Sequence, residues 1–347
     1  MPPPQAKARA MTVSALERPT ATTGAAPAAP IVAVLIPCYN EEAAIGTVIR
    51  DFKAHLPDAT IYVYDNNSSD RTVEVATAAG AVVRHEPLQG KGNVVRRMFA
   101  DIEADVYVMV DGDDTYHAPS APLMVTRLWE EQLDMVNGQR VTEIVAAYRP
   151  GHRLGNRVLT GMVAQVFGHR IQDMLSGYRV FSRRFVKTFP ALAAGFETET
   201  EFTVHALELR MPIAEVKTPY KDRPEGSVSK LRTFRDGFRI LRTILVLVKE
   251  ERPLPFFATL FGLLLLAALG LAVPVLVTYM QTGLVPRLPT AVLATGLALL
   301  AFLSLTCGLI LDTVTHGRRE MKRLRYLTIP APGATLLHDR THDRMGA

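Results

Sequence analysis

Val106-Tyr107-Val108-Met109-Val110-Asp111-Gly112-Asp113-Asp114 joins an apolar run to three carboxylates. A short β-branched run of this kind reads as a buried parallel strand, and the acids that end it fall at the carboxyl edge of the sheet. Open α/β sheets bind their ligands at that edge. Asp111 and Asp113, with a glycine between them, can both reach one hard cation, and such a cation can bridge to phosphate oxygens. A plain Asp-Gly turn is the alternative reading of the same residues.

The neighbouring sequence repeats the pattern. Ile31 to Ile36 is an apolar run, and Glu41 to His55 reads as a helix. Ile61 to Tyr64 is a second strand, followed by Asp65-Asn66-Asn67-Ser68-Ser69-Asp70, where Ser69 or Asp70 can cap a helix reaching Ala79. Ala81 to Val83 is a third strand. Gly90-Lys91-Gly92 opens a helix through Ile102. Strands alternating with helices across short loops predict a doubly wound, mostly parallel sheet with helices on both faces. Beyond it, Asp134 to Gly138, Met174 to Phe181 and Ile213 to Lys217 look extended, while His152 to Gly168 and Glu199 to Arg210 look helical.

Residues 1–30, rich in Ala, Pro and Thr, read as a disordered tail. In residues 231–252, Leu231, Phe234, Phe238, Leu241, Leu245 and Val248 form one helical stripe. Arg232, Arg235, Arg239 and Arg242 lie beside it, as on a helix lying in a lipid interface. Residues 253–314 hold two apolar stretches, Phe256 to Tyr279 and Thr290 to Val314, each long enough to cross a bilayer. Basic residues crowd both outer flanks, and the loop between the stretches carries only Arg287. The positive-inside rule therefore puts both flanks in the cytoplasm. Residues 315–347 read as a basic cytoplasmic tail.

The net charge of +5 is concentrated around the apolar segments, which suggests a membrane surface as partner. No aromatic-basic stripe of the kind that binds nucleic acid is present. The two cysteines, Cys38 and Cys307, give neither a disulfide framework nor a metal-ligand spacing.

Five motifs in order carry a resemblance. They are Pro37-Cys38-Tyr39-Asn40-Glu41-Glu42, Asp65, Asp111-Gly112-Asp113, Asp173-Met174-Leu175-Ser176-Gly177-Tyr178-Arg179, and Arg223-Pro224-Glu225-Gly226-Ser227-Val228-Ser229-Lys230-Leu231. In this order and spacing the chain resembles the family 2 inverting glycosyltransferases of the GT-A fold. Within that family it is similar to the dolichyl-phosphate mannose synthase and bactoprenol glucosyltransferase group. The resemblance implies a GT-A domain over residues 31–230 and transfer of a hexose from a nucleotide sugar to a polyprenyl phosphate lipid. The enzyme would be a multi-pass protein of the inner or plasma membrane, with its catalytic domain in the cytoplasm.

The resemblance also implies roles. Pro37, Tyr39, Glu41 and Asp65 would hold the nucleotide, and Lys91 would meet its phosphates. The glycines beside Lys91 would let the backbone approach. Asp111 and Asp113 would hold Mg2+ or Mn2+. Arg179, Arg223, Ser229 and Lys230 would clamp the acceptor phosphate. Asp113, Asp173 and Arg179 would serve the reaction itself, and Glu199 or Glu201 would help shape the sugar or acceptor site. The chain departs from the mannose synthases at Asp114-Thr115-Tyr116, which leaves the third metal ligand open, with His117 one candidate. Similarity to bacterial members favours a UDP-hexose over GDP-mannose. Two further readings are a family 2 transferase acting on another lipid or a polysaccharide, and a non-catalytic membrane scaffold. Self-association stays open.

Overall fold

A computed structural model of the chain describes residues 29–141, 171–195, 197–223, 249 and 252–333. The predicted helices at His152 to Gly168 and, apart from residues 249 and 252, at 231–252, together with Ser229 and Lys230, lie outside the described residues. Among those described, seven strands form one sheet: β1 (Val32–Cys38), β2 (Thr60–Asp65), β3 (Val82–His85), β4 (Val106–Met109), β5 (Met135–Val141), β6 (Arg179–Ser182) and β7 (Ile213–Pro219). Their order is β3-β2-β1-β4-β6-β5-β7. All pairings are parallel except those of β6, which runs antiparallel to β4 and to β5. The predicted extended run from Met174 is therefore shorter: residues 173–178 form a loop, and the strand begins only at Arg179.

Side chains alternate across β1 because successive residues of a strand face opposite ways. Leu35 joins one core with Val95, Met98, Phe99, Phe181, Phe185 and Phe202. Val34 and Ile36 join the other with Ile45, Ile49, Phe52, Met124 and Leu128. Each fully buried side chain of this size contributes about 1.5–3 kcal/mol. The covering helices are α1 (Ile45–His55), α2 (Thr72–Ala78), α3 (Lys91–Asp101), α4 (Ala121–Glu130), α5 (Arg183–Thr188) and α6 (Thr198–Glu208).

The helix predicted from Glu41 begins only at Ile45. Asn40 adopts the left-handed conformation at φ 52, and residues 40–42 are instead stitched to the loop after β2. Asn40 N donates to Ser68 Oγ (2.9 Å), Glu41 N to Thr72 Oγ1 (2.8 Å) and Arg71 N to Glu42 Oε2 (2.8 Å). This stitching fixes the rim of the crevice where strand order reverses between β1 and β4.

Two long helices follow, α7 (Pro253–Thr282) and α8 (Leu288–Leu327), both long and apolar enough to cross a membrane. They pack on each other. Ser304 Oγ donates to Phe257 O (3.2 Å), and a Cβ on Gly308 would lie 2.8 Å from Phe257 Cβ. α7 continues through Pro274. α8 runs unbroken past residue 314 to Leu327, so the first residues read as a basic tail are helical.

His205 sits in the aromatic core, 5.3 Å from the Phe185 ring and 5.5 Å from Phe189, with Nε2 at 3.1 Å from Thr188 Oγ1. Burial, assisted by Lys322, pushes its pKa down to about 3. A depressed pKa means the folded state excludes a proton that the unfolded chain accepts. The stability linked to His205 is thus intact above the ordinary histidine value of about 6.5 and is lost as pH falls toward about 3. The limiting slope is about 1.4 kcal/mol per pH unit. His205→Gln is expected to flatten the acid limb of the melting-temperature profile. Superimposable profiles would show that His205 is not the group responsible.

Candidate active site

The switch between β1 and β4 brings Asp111 and Asp113 to the carboxyl edge. Gly112 is required by packing, because a Cβ there would lie 2.8 Å from Cys38 Sγ. Gly112→Ala is expected to cost about 1–3 kcal/mol by overpacking, and adding Cys38→Ala should recover most of it. If the double variant melts no higher than Gly112→Ala alone, the contact with Cys38 is not the cause.

Cations already stand at both carboxylates. Lys91, at the start of α3, contacts Asp111 Oδ1 and Glu199 Oε1, each at 2.5 Å. Burial opposes its charge, but Asp111 and then Glu199 outweigh burial and raise its pKa, so Lys91 is a fixed ammonium. Arg223 Nη2 contacts Asp113 Oδ2 at 2.6 Å, while Thr115 Oγ1 donates to Asp113 Oδ1 at 2.6 Å. Burial, then the Asp111 carboxylate, push the Asp113 pKa above the usual carboxylate range, against Thr115 and Arg223. Two polar atoms here are buried without a hydrogen-bond partner among the described residues: Arg223 Nη1 and Glu199 Oε2.

Asp114, Thr115 and Tyr116 hold the far wall. Asp114, left-handed at φ 56, pairs with Lys221 Nζ at 2.8 Å. Lys221 N donates to Thr115 O (3.0 Å), and Tyr116 bridges to Tyr220. These ties carry the chain back to Arg223. The Tyr116 hydroxyl accepts from Gly177 N at 2.8 Å. Gly177 in turn passes so close to Asp111 that a Cβ would lie 2.6 Å from its Oδ2.

The residues expected on the nucleotide side are also gathered. Pro37 lies near the end of β1 and Tyr39 just beyond it, with Tyr39 39% exposed. Glu41 is buried in the stitched turn. Asp65 ends β2, accepts from Ser68 N at 3.3 Å and faces His85 Nδ1 at 3.2 Å. Asn66, which carried no role in the sequence, pins the next loop: its Nδ2 donates to Glu86 O (2.8 Å), and its Oδ1 accepts from Gly90 N (2.7 Å). Its position directly after Asp65 was the only signal.

Two expectations are corrected. Arg179 has no exposed surface, so it cannot clamp a phosphate or touch a reacting group in this arrangement. Its Nε donates to Ser176 O (3.0 Å), and its Nη1 donates to Thr203 Oγ1 (3.0 Å). It braces the 173–178 loop from within. Asp173, expected to serve the reaction, is tied into the fold. It is held by Arg140 through Nε (2.7 Å) and Nη2 (2.8 Å), a residue the sequence had not suggested. Burial alone would raise the Asp173 pKa, but Arg140 prevails and lowers it, which is unsuitable for a general base near neutrality. Gly90 and Gly92 also meet a demand of the chain itself. A Cβ on Gly90 would lie 2.2 Å from Ala194 O, and one on Gly92 would lie 2.1 Å from Ala193 O.

Hard carboxylate oxygens suit Mg2+ or Mn2+. Among the described residues no cluster of three or more His, Cys, Asp or Glu forms a complete cage. His117 faces Ser120 Oγ through Nδ1 at 3.0 Å. The donor set thus fits a cation completed by oxygens from outside the protein, as Mg2+ often is.

A parallel-centred α/β sheet, with paired carboxylates at its switch point and a cation facing each, is the arrangement expected of a GT-A-type domain. The chain belongs to glycosyl transferase family 2, whose family model matches residues 33–189. It is 33% identical over 303 residues to glycosyltransferase AglJ of Haloferax volcanii, covering 85% of this chain and 98% of that one. It is 29% identical over 221 residues to a dolichyl-phosphate hexose transferase of the same organism, covering 64% and 95%. The fold is shared with glucosyl-3-phosphoglycerate synthase of Mycobacterium tuberculosis, solved with Mn2+, UDP and glucosyl-3-phosphoglycerate. That match has a TM-score of 0.52 and 24% identity, covering 62% of this chain and 79% of that one. The protein is therefore a glycosyltransferase.

Proposed function

We propose that the enzyme transfers a hexose, from a UDP-sugar in preference to GDP-mannose, to the phosphate of a membrane-embedded polyprenyl phosphate. The observation that carries this reading is Arg223. One of its amino groups holds Asp113 and the other is buried without a hydrogen-bond partner among the described residues. A guanidinium in that state is suited to a phosphate oxygen, which it can bind through two nitrogens. Ser229 and Lys230, a few residues further on, would complete the clamp. The name of the Haloferax hexose transferase supports a lipid phosphate as acceptor, and the UDP and Mn2+ bound by the mycobacterial synthase support a UDP donor with a divalent cation. Basic flanks around α7 and α8 support a multi-pass anchor with the catalytic domain in the cytoplasm.

In this mechanism Pro37, Tyr39, Glu41 and Asp65 hold the nucleoside. Asp111 and Asp113 would hold Mg2+ or Mn2+, which when bound offsets charge on the departing nucleoside diphosphate. Arg223, released from Asp113, docks the acceptor. An acceptor phosphate oxygen forms the new bond to the anomeric carbon. The carbon–oxygen bond to the diphosphate breaks on the opposite side, its electron pair leaves with the nucleotide, and the configuration inverts. The second phosphate ionisation lies at about 6, so the nucleophile is already anionic near neutral pH. The task is alignment, and no carboxylate base is needed.

The test is incubation of membranes holding the protein with labelled nucleotide sugars and polyprenyl phosphate. Label in a lipid-extractable phosphodiester, lost on chelation of divalent cations, is the expected result. A polymer ladder, or no lipid product from any common donor, would refute the reading.

A further inference from the structure

The basic end of α8 is docked on the catalytic domain. Tyr326 OH donates to Asp134 Oδ2 at 2.7 Å, and Arg184 lies over the Tyr326 ring at 4.7 Å. Asp134 is 0% exposed, and its Oδ1 accepts from Ser182 Oγ at 2.7 Å and from Arg184 Nε. One turn earlier on α8, Lys322 Nζ meets Glu208 Oε2 at 2.7 Å and Arg319 Nε approaches Oε1 at 3.8 Å. The Glu208 side chain is 2% exposed. Two buried carboxylates thus form a socket filled by the helix that leaves the apolar region. A surface tail serving only to attract anionic headgroups would not commit these groups to buried partners.

Glu208 closes α6, and the first turn of α6 carries Glu199, which grips Lys91 and through it faces Asp111. Residues Thr198 to Leu207 are all buried, so α6 is a packed rod about 16 Å long at about 1.5 Å per residue. The basic end of α8, Thr315 to Leu327, adds about 20 Å of continuous helix. Membrane helix, socket, rod and site are therefore joined without a flexible link along this path.

We propose that residues 315–327 form a rigid strut that fixes the position of the catalytic site relative to the membrane, with Tyr326, Lys322 and Arg319 as positioning residues. A site held in this way meets the phosphate of an embedded lipid in one geometry. Misplacement of reacting groups by about 1 Å can cost about a hundredfold. The acceptor part of this inference rests on the lipid phosphate proposed above. None of the three residues contacts the site, so substrate binding from solution should not depend on them.

The experiment uses the full chain in phosphatidylcholine nanodiscs, unaltered or as Tyr326→Phe/Lys322→Gln. With a long-chain polyprenyl phosphate in the bilayer, turnover by the double variant is expected to fall about ten- to a hundredfold, while turnover of geranyl phosphate in detergent and the donor KM stay within about twofold. Equal loss on both acceptors would mean a merely structural role and would overturn the proposal, as would no loss in the bilayer. Hydrogen exchange on the same samples decides the strut independently of substrate. Faster exchange confined to residues 319–327 and the end of α6 is expected, and unchanged exchange contradicts it. Should the unaltered protein use neither acceptor, the lipid-phosphate reading fails, and the exchange result alone judges the strut.

Discussion

Asp113→Asn is expected to lower transfer about a thousandfold or more, a loss of about 4 kcal/mol of transition-state stabilisation, while leaving the domain folded. The substitution keeps the shape of the side chain and a partner for Thr115. It removes the charge that burial and Asp111 already disfavour, so relief of that repulsion opposes the loss of the Arg223 ion pair. Stability without metal should therefore change by less than about 1 kcal/mol. The melting temperature of the unaltered protein should rise when Mn2+ and nucleotide are added together, because a ligand bound only to the folded state stabilises it by mass action. The variant should lose that response. Transfer by the variant at more than a tenth of the parent rate would remove Asp113 from the metal side of the site.

Lys91→Met is the second large effect, and it acts on stability. Lys91 lies between Asp111 and Glu199, and its side chain is 10% exposed. Removing one partner of a buried ionic group leaves the remaining charge uncompensated, at a cost of about 3–5 kcal/mol. Two carboxylates would be left here, one of them with an oxygen already unpartnered. Adding Glu199→Gln should restore at least half of the loss, since it removes the like-charge repulsion. Thermal melting of the two variants measures this. An unaltered melting point for Lys91→Met, or no recovery in the double variant, would mean that the three charges do not act as a unit.

The strands and helices up to β4 were legible because each repeats a short-range pattern, an apolar run followed by a polar cluster. Asp111 and Asp113 were legible for the same reason. What the sequence hid was long-range. Lys91 finds Glu199 across 108 positions. Gly90 and Gly92 make room for the carbonyls of Ala194 and Ala193, a packing demand that looks identical in sequence to a phosphate loop. Arg179 falls in a motif that resembles an acceptor site, yet it starts a strand inserted between β4 and β5, and that insertion buries it. Arg140 and Tyr116 matter only because β5 and the Thr115–Tyr116 segment meet the 173–178 loop. Residues 315–327 read as a tail because their charges resemble a solvated flank, whereas their partners Asp134 and Glu208 are distant acids with no local signature.

In the proposed reaction the carboxylates that would serve the donor meet the guanidinium that would serve the acceptor at the contact of Asp113 with Arg223. Steady-state kinetics of Arg223→Ala, with donor and lipid acceptor varied separately, tests this most directly. The account predicts a donor KM that is unchanged or lower, because Asp113 is freed, and an acceptor kcat/KM lowered about a hundredfold, as expected for loss of a charge-assisted bidentate contact. A variant with weakened donor binding and an unaltered acceptor kcat/KM would contradict it.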